Sequence, residues 1–263
     1  MKVGVYSNPI KDPDNAVRDA VFSAARENNI EVELYEPNKH FNLIVSVGGD
    51  GTILRIAKEC AKSGIPILGV NKGTIGFLTE IEPHDISAAF TKLTARDYML
   101  ERRALLDATV GGKHYYALND VVVRSATGRM IRMEVCVDND VIDKFTCDGY
   151  IACTPTGSTA YSLSAGGAVI GPNTPVIALT PINPHTLRTR PVVVGSFEHI
   201  KLSNTGMVGA SIFVDGESVG SFDGGQAVDV TGWDMSALFV RFNKKSFYSR
   251  LLDKLSAWSA TED

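Results

Sequence analysis

A chain of 263 residues, 44% hydrophobic and 21% charged, has the composition of one large or two smaller globular domains, which excludes disordered, collagen-like and coiled-coil classes. Its formal net charge of −4 argues against a general nucleic-acid binder, though not against a nucleotide held by backbone N–H groups and a few local cations. No apolar run approaches the roughly 18 residues of a membrane-spanning helix, and the opening MKVGVYSNPI turns polar too soon for a signal peptide, so the expectation is a cytoplasmic protein with no membrane partner.

The first third alternates strand and helix signals. Residues 2–6 read as a short buried strand, and Asn8-Pro9 and Asp12-Pro13 mark the loop after it. Asp14 is placed to cap a helix reaching about Asn28, with Val17, Val21, Phe22 and Ala25 on its apolar face. Residues 30–35 and 41–47 read as strands, the second apolar enough to be buried on both faces of a parallel sheet. Gly48-Gly49-Asp50-Gly51 ends it. A helix is expected from Thr52 to about Lys62, with Gly64 as its stop, and then a strand over 65–70. This is a doubly wound, Rossmann-like α/β pattern.

After about Asp97 short β-rich runs alternate with turn signals. Strands are expected at 107–110, 120–124, 133–137, 150–153, 192–194, 200–202, 211–214 and 227–230, with Asp215-Gly216 as a hairpin turn. Such spacing implies a sandwich-like, sheet-on-sheet domain, interrupted by one helix near 158–166. The expected division is an α/β domain over 1–98 and a β-rich domain over 99–244. A C-terminal amphipathic helix within 245–260, striped by Leu251, Leu252, Leu255 and Trp258, packs back on the first domain. Cys60, Cys136, Cys147 and Cys153 form no C-x-x-C pair and read as reduced thiols packed as small hydrophobes; no metal-ligating cluster is visible.

Two constellations carry chemistry. In the first, Gly48, Gly49 and Gly51 allow backbone N–H groups to approach a ligand, and the helix that starts at Thr52 adds partial positive charge suited to phosphate. Asp50 stands at the strand's C-terminal end, the ligand edge of an open α/β sheet. A plain strand-to-helix turn capped by Asp50 is the competing reading. The segment is neither a Walker loop nor G-x-G-x-x-G. Arg55 and Lys72 follow the strand ends and could meet phosphates, although solvated cations are the commoner outcome. The second constellation is Asp148-Gly149 followed by the hydroxyl-rich run from Thr154 through Gly167. Hydroxyls and Tyr161 can read an adenine edge, yet a tight packing segment has the same composition, and composition alone leaves both open.

Together the two segments resemble the NAD kinase family, which carries Gly-Gly-Asp-Gly, a mid-chain Asn-Glu or similar pair, and a Thr-Pro-Thr-Gly-Ser-Thr-Ala-Tyr-Ser-Leu-Ser-type block. Here these are residues 48–51, Asn119-Asp120 and residues 154–164. Asn71-Lys72-Gly73-Thr74-Ile75-Gly76-Phe77-Leu78 and Pro184-His185-Thr186-Leu187 also resemble family segments. The resemblance implies an enzyme that phosphorylates the 2′-hydroxyl of the adenosine ribose of NAD, using ATP and a divalent metal, with Mg²⁺ carried on ATP. It makes Asp50 the catalytic base, with Gly51 beside it. Gly48, Gly49, Gly51, Thr52 and Arg55 would serve the ATP phosphates. Asn119 and Asp120 would contact the dinucleotide, and Thr159, Ala160, Tyr161, Ser162, Leu163 and Ser164 would line the adenosine site. Asp148 would lie near the nicotinamide half, reached from a neighbouring subunit of a homotetramer or homodimer. Arg129, Thr146, Asn183 and Glu217 fall at further contact positions. Asp120 stands where many members have Glu, and Thr146 where some have a basic residue. The resemblance leaves open whether polyphosphate replaces ATP. Gly-Gly-Asp-Gly is shared with lipid kinases of the diacylglycerol and sphingosine type, so a lipid kinase is one rival. A non-catalytic NAD(P)-binding regulator is the other.

Overall fold

The computed structural model describes residues 1–73, 76–242 and 247–252. The chain forms two compact units, one of residues 1–102 with the stretch returning at 237, the other of residues 103–236.

The first unit contains β1 (Lys2–Ser7), α1 (Ala16–Glu27), β2 (Glu31–Leu34), β3 (Leu43–Gly48), α2 (Asp50–Ser63), β4 (Ile67–Asn71) and α3 (Ile86–Ala95). Its sheet runs β2-β1-β3-β4, all parallel. β3 and β4 are buried at every position, which is why they read as continuous apolar runs. Val3, Val5, Val17, Val21, Leu43, Val45 and Phe90 form the core. The helix α3 adds Ile86, Ala89, Phe90 and Leu93 to it, at the i, i+3, i+4, i+7 spacing of one helical face.

Two local expectations are corrected. Asp14 does not cap α1. The helix starts after Asn15, which is in the left-handed conformation (φ 58°), and the buried Asp12 carboxylate accepts instead from the N–H groups of Val17 (3.2 Å) and Arg18 (3.0 Å). α2 starts at Asp50 rather than Thr52, with Gly49 as its N-cap residue.

The second unit contains β5 (Met99–Val110), β6 (Lys113–Ala117), β7 (Asp120–Ser125), β8 (Ile131–Val137), β9 (Asp140–Cys147), β10 (Gly149–Cys153), α4 (Tyr161–Ser164), β11 (Val176–Ile182), β12 (Val192–Gly195), β13 (Ile200–Asn204), β14 (Ala210–Val214), β15 (Glu217–Phe222) and β16 (Gln226–Arg241). The chain enters this unit within β5 and leaves it within β16. One sheet carries β16-β13-β8-β9 and the other runs β12-β11-β10-β7-β14-β15, with antiparallel pairing. Tyr150, Leu106, Met133, Val135, Leu202 and Ile212 pack in a shared core, the sandwich expected from the sequence. The helix expected near 158–166 shrinks to a 3₁₀ turn (Gly157–Thr159) and the four-residue α4.

Cys60, Cys147 and Cys153 are buried and Cys136 is half-buried; all four are free thiols. Burial pushes the first three up to about 12. Residues 247–252 are helical, whereas the remainder of the expected C-terminal helix, with Leu255 and Trp258, lies outside the described residues. Among the described residues no helix is long and apolar enough to cross a membrane.

Candidate active site

In the first unit the chemistry gathers at the C-terminal ends of the parallel strands. Gly48 closes β3 at φ 152°, and a Cβ there would overlap the Thr52 side chain, so glycine is required. Thr52 is buried, and its hydroxyl accepts from Asn8 Nδ2 (3.2 Å), so it braces the turn from beneath. Gly49 and Gly51 have open space where a side chain would stand, and Arg55 is exposed on α2.

Asp50 is held by a second loop. Phe77 N–H donates to its Oδ2 (2.8 Å) and Leu78 N–H to its Oδ1 (3.0 Å). A Cβ on Gly76 would overlap this carboxylate, so the glycine is what admits the loop. The other side of the loop is tied as well: Arg241 Nη1 donates to Leu78 O (2.9 Å). Arg241 in turn pairs with Glu101 (2.6 Å) and Glu80 (3.3 Å), and the buried Glu80 takes Arg250 (2.8 Å). Both Asp50 oxygens are therefore fixed in direction, while a carboxylate has about four acceptor sites and two N–H groups use only two.

Lys72 is not the free solvated cation that its position suggested. Its backbone N–H donates to Gly48 O (2.9 Å), and its ammonium bonds to Asp12 (2.7 Å) and reaches Asp14 (3.4 Å). Burial pushes the Asp12 carboxyl up, but Lys72 and the N–H groups of Arg18 and Val17 outweigh it and hold the carboxyl below its ordinary value. Thr74 and Ile75 of the same motif lie outside the described residues.

In the second unit Asn119 and Asp120 sit in a turn gripped from two sides. On one, Thr154 Oγ1 donates to Leu118 O (2.6 Å) and Thr154 N–H to Asn119 O (2.9 Å). A Cβ on Gly157 would overlap the Asn119 carbonyl. On the other, the Asp215 carboxylate accepts the N–H groups of Leu118 (2.8 Å), Asn119 (2.7 Å) and Asp120 (3.2 Å). The Asn119 side chain is left half-exposed, whereas Asp120 is 6% exposed. Burial, and then the Asp215 charge, push Asp120 up to about 7; burial pushes Asp215 up to about 6.

Most hydroxyls of the hydroxyl-rich run are committed to packing. Thr154, Ser158 and Ser162 are fully buried. Ser158 Oγ donates to Pro155 O (2.7 Å), Thr159 Oγ1 to Thr156 O (3.2 Å), and Ser162 Oγ bonds Thr180 Oγ1 (2.9 Å). These hydroxyls are used in packing, so Ser162, expected to line a ligand, is turned inward. Ala160 and Leu163 are half-buried and Tyr161 and Ser164 exposed, which leaves these four available to a ligand.

Asp148 and Asn183 meet directly, Asn183 Nδ2 donating to Asp148 Oδ2 (2.9 Å), and the exposed Thr146 accepts His185 N–H on its carbonyl (2.8 Å). Arg129 and Glu217 are exposed. Asp148 precedes β10, whose far end pairs Cys153 with Asp120. The Asp148–Asn183 pair and the Asn119–Asp120 turn therefore lie at opposite ends of a five-residue strand, about 17 Å apart.

Asp12, Asp215 and Gly76 are the residues that sequence reasoning did not single out for the site. A cavity of about 460 Å³ lined by Tyr35, His40, Phe41, Cys60 and Ser63 lies at the C-terminal end of α2, the other end of that helix from Asp50. Among the described residues no three His, Cys, Asp or Glu side chains gather to hold a metal.

Comparison with known proteins bears on both units. Residues 9–98 match the ATP-NAD kinase N-terminal domain, and residues 118–242 the ATP-NAD kinase C-terminal domain. The chain is 33% identical to an NAD kinase of Caldicellulosiruptor bescii, across 97% of this chain and 99% of the relative. It is 42% identical to an NAD kinase of Moorella thermoacetica, across 84% of this chain and 73% of the relative. An NAD kinase from Archaeoglobus fulgidus, solved in complex with ATP, superposes with a TM-score of 0.82 at 31% identity, over 97% of this chain and 99% of that one. Yeast NADH kinase complexed with NADH shares the fold, with a TM-score of 0.87 at 22% identity, over 97% of this chain and 87% of that one.

Proposed function

Because the chain belongs to the ATP-NAD kinase family, it is a phosphotransferase that makes NADP from NAD and ATP, and we propose that Asp50 is the base at the ribose 2′-hydroxyl. Family membership sets aside the lipid-kinase and non-catalytic readings. The observation that carries the role of Asp50 is its fixed carboxylate, held by Phe77 and Leu78 at the ligand edge of the parallel sheet. The remaining acceptor sites orient the 2′-hydroxyl and take its proton as the phosphoryl group leaves ATP. Phosphoryl transfer has a loose transition state, so positioning and charge neutralisation carry most of the rate. A carboxylate is a far weaker base than an alkoxide, so the alcohol proton is accepted only late along the path.

In this reading residues 1–98 handle phosphate and residues 99–244 hold NAD. The N-terminus of α2, with Gly48, Gly49 and Gly51, neutralises charge on the ATP phosphates, and Arg55 adds a cation. The divalent cation, Mg²⁺, travels as part of the ATP substrate, bridging its phosphates as in other phosphoryl transfers. Asn119 and Asp120 contact the dinucleotide. Ala160, Tyr161, Leu163 and Ser164 line the adenosine, with Thr159 and Ser162 shaping that turn from within. Asp148, with Asn183, acts on the nicotinamide half bound to a neighbouring subunit of a homotetramer. Its place at the far end of β10 from Asp120 supports a division between copies. Thr146, Arg129 and Glu217 are the outer contacts, and the free thiols suit a cytoplasmic enzyme.

The test is Asp50→Asn. The variant is expected to fold normally, because one amide oxygen still accepts from the loop, and to lose roughly 10²–10⁴-fold in kcat. Turnover within a few-fold of the parent would remove Asp50 from the chemistry.

A further inference from the structure

We propose that Asp215 is a positioning residue for NAD: through the amides of Leu118, Asn119 and Asp120 its carboxylate fixes the turn that presents the Asn119 side chain to the dinucleotide. The inference rests on the assignment of Asn119 to the NAD site.

The hairpin between β14 and β15 does not itself need this carboxylate. Asp215 (φ 48°) and Gly216 (φ 81°) occupy the left-handed conformations of a tight hairpin turn, which asparagine adopts as readily as aspartate. The charge serves a different part of the unit. Both Asp215 oxygens accept N–H groups from residues 95 to 97 positions earlier in the chain, at 2.7–3.2 Å. The Asp215 N–H closes the contact by donating to Asp120 O (3.0 Å). Leu118 and Asn119 precede β7 and Asp120 is its first residue, so these N–H groups stand where the ladder is only beginning, and a desolvated N–H left unmatched is costly. Thr154 takes the carbonyls of the same turn from the opposite side. With the backbone committed on both sides, the half-exposed Asn119 side chain is the part left free to meet a ligand. Asparagine at 215 would keep one acceptor oxygen and turn an NH₂ group toward the remaining donors, which loosens the turn without removing the hairpin.

The experiment measures KM for NAD and for ATP, kcat and thermal melting in Asp215→Asn, Asn119→Ala and the double variant. The expected result is a roughly 10- to 100-fold rise in KM for NAD in Asp215→Asn, KM for ATP within a few-fold of the parent, and a cooperative melt. The effect should largely vanish in the Asn119→Ala background, because both changes then act through one side chain. A purely structural role would instead lower kcat by loss of active protein and leave both KM values in place, and that outcome overturns the proposal. So does a full additional effect in the double variant. If Asn119→Ala leaves KM for NAD unchanged, the site assignment fails first and the proposal with it. Should Asp215→Asn not fold, Asp215→Glu, which keeps the charge and displaces it by one methylene, is read by the same criteria.

Discussion

Asp12 and Asp120 are both buried carboxylates, and their surroundings drive them in opposite directions. The folded-state value of Asp12 is held below the ordinary one, so its stabilisation is present above about pH 4 and fades as pH falls through the lowered value. Asp12→Ala leaves the Val17 and Arg18 N–H groups and the Lys72 ammonium without their acceptor. It should lower the unfolding free energy by about 1–3 kcal/mol in urea titrations at pH 7. Asp120 behaves in reverse. Its value rises from 3.8 to about 7, so the folded state binds the proton more tightly than the unfolded chain and stability falls as pH rises through that window. Asp120→Asn should flatten that slope, and at pH 8 it should be more stable than the parent by on the order of a few kcal/mol. A denaturation series from pH 4 to 8 checks the sign, and an unchanged slope would mean that Asp120 is not its source. The place of Asp50 at the turn from β3 into α2 was legible in the sequence, because the glycines around it mark the end of the strand. Asp12 and Asp215 were not, because what makes them matter lies 60 and about 96 residues away, respectively.

At the scale of elements, two glycines do what no other residue can. A Cβ on Gly76 would overlap the Asp50 carboxylate, and one on Gly157 the Asn119 carbonyl. Gly76→Ala should push the 76–78 stretch off Asp50 and reduce kcat, whereas Gly157→Ala should displace the Asn119 turn and raise KM for NAD. Each should also destabilise by about 1–3 kcal/mol through overpacking. Steady-state kinetics separates the two, and the same kinetic change in both variants would refute the assignment. The parallel strands β3 and β4 were readable because both faces are buried. β9, an edge strand whose DVIDKFTC mixes charge with apolar residues, gave no clean alternation. β11 carries Pro181, a residue that weakens any strand signal. The hydroxyl run from Thr154 was legible as a motif but not in its detail, since whether a serine faces a ligand or Thr180 depends on a strand elsewhere in the chain.

For the molecule as a whole, the α/β-then-sandwich order was visible in the shift from helical to short-strand periodicity, and the long hydroxyl block made the family recognisable. The extent of β5 and β16, the strands in which the chain passes between units, was not visible; only 107–110 and 227–230 carry a plain strand pattern. Residues 103–236 are one uninterrupted stretch with a sandwich core of their own. Expressed alone, they should fold and melt cooperatively in circular dichroism, and a featureless melt would show that they need the flanking chain. The thiols supply their own stopwatch. Cys60 is hidden in one unit and Cys147 and Cys153 in the other, all three protonated and out of reach of alkylating reagents until their surroundings open. With the half-buried Cys136 replaced by serine, peptide-resolved alkylation under native conditions would clock the breathing of each unit separately, with no foreign label built into the chain.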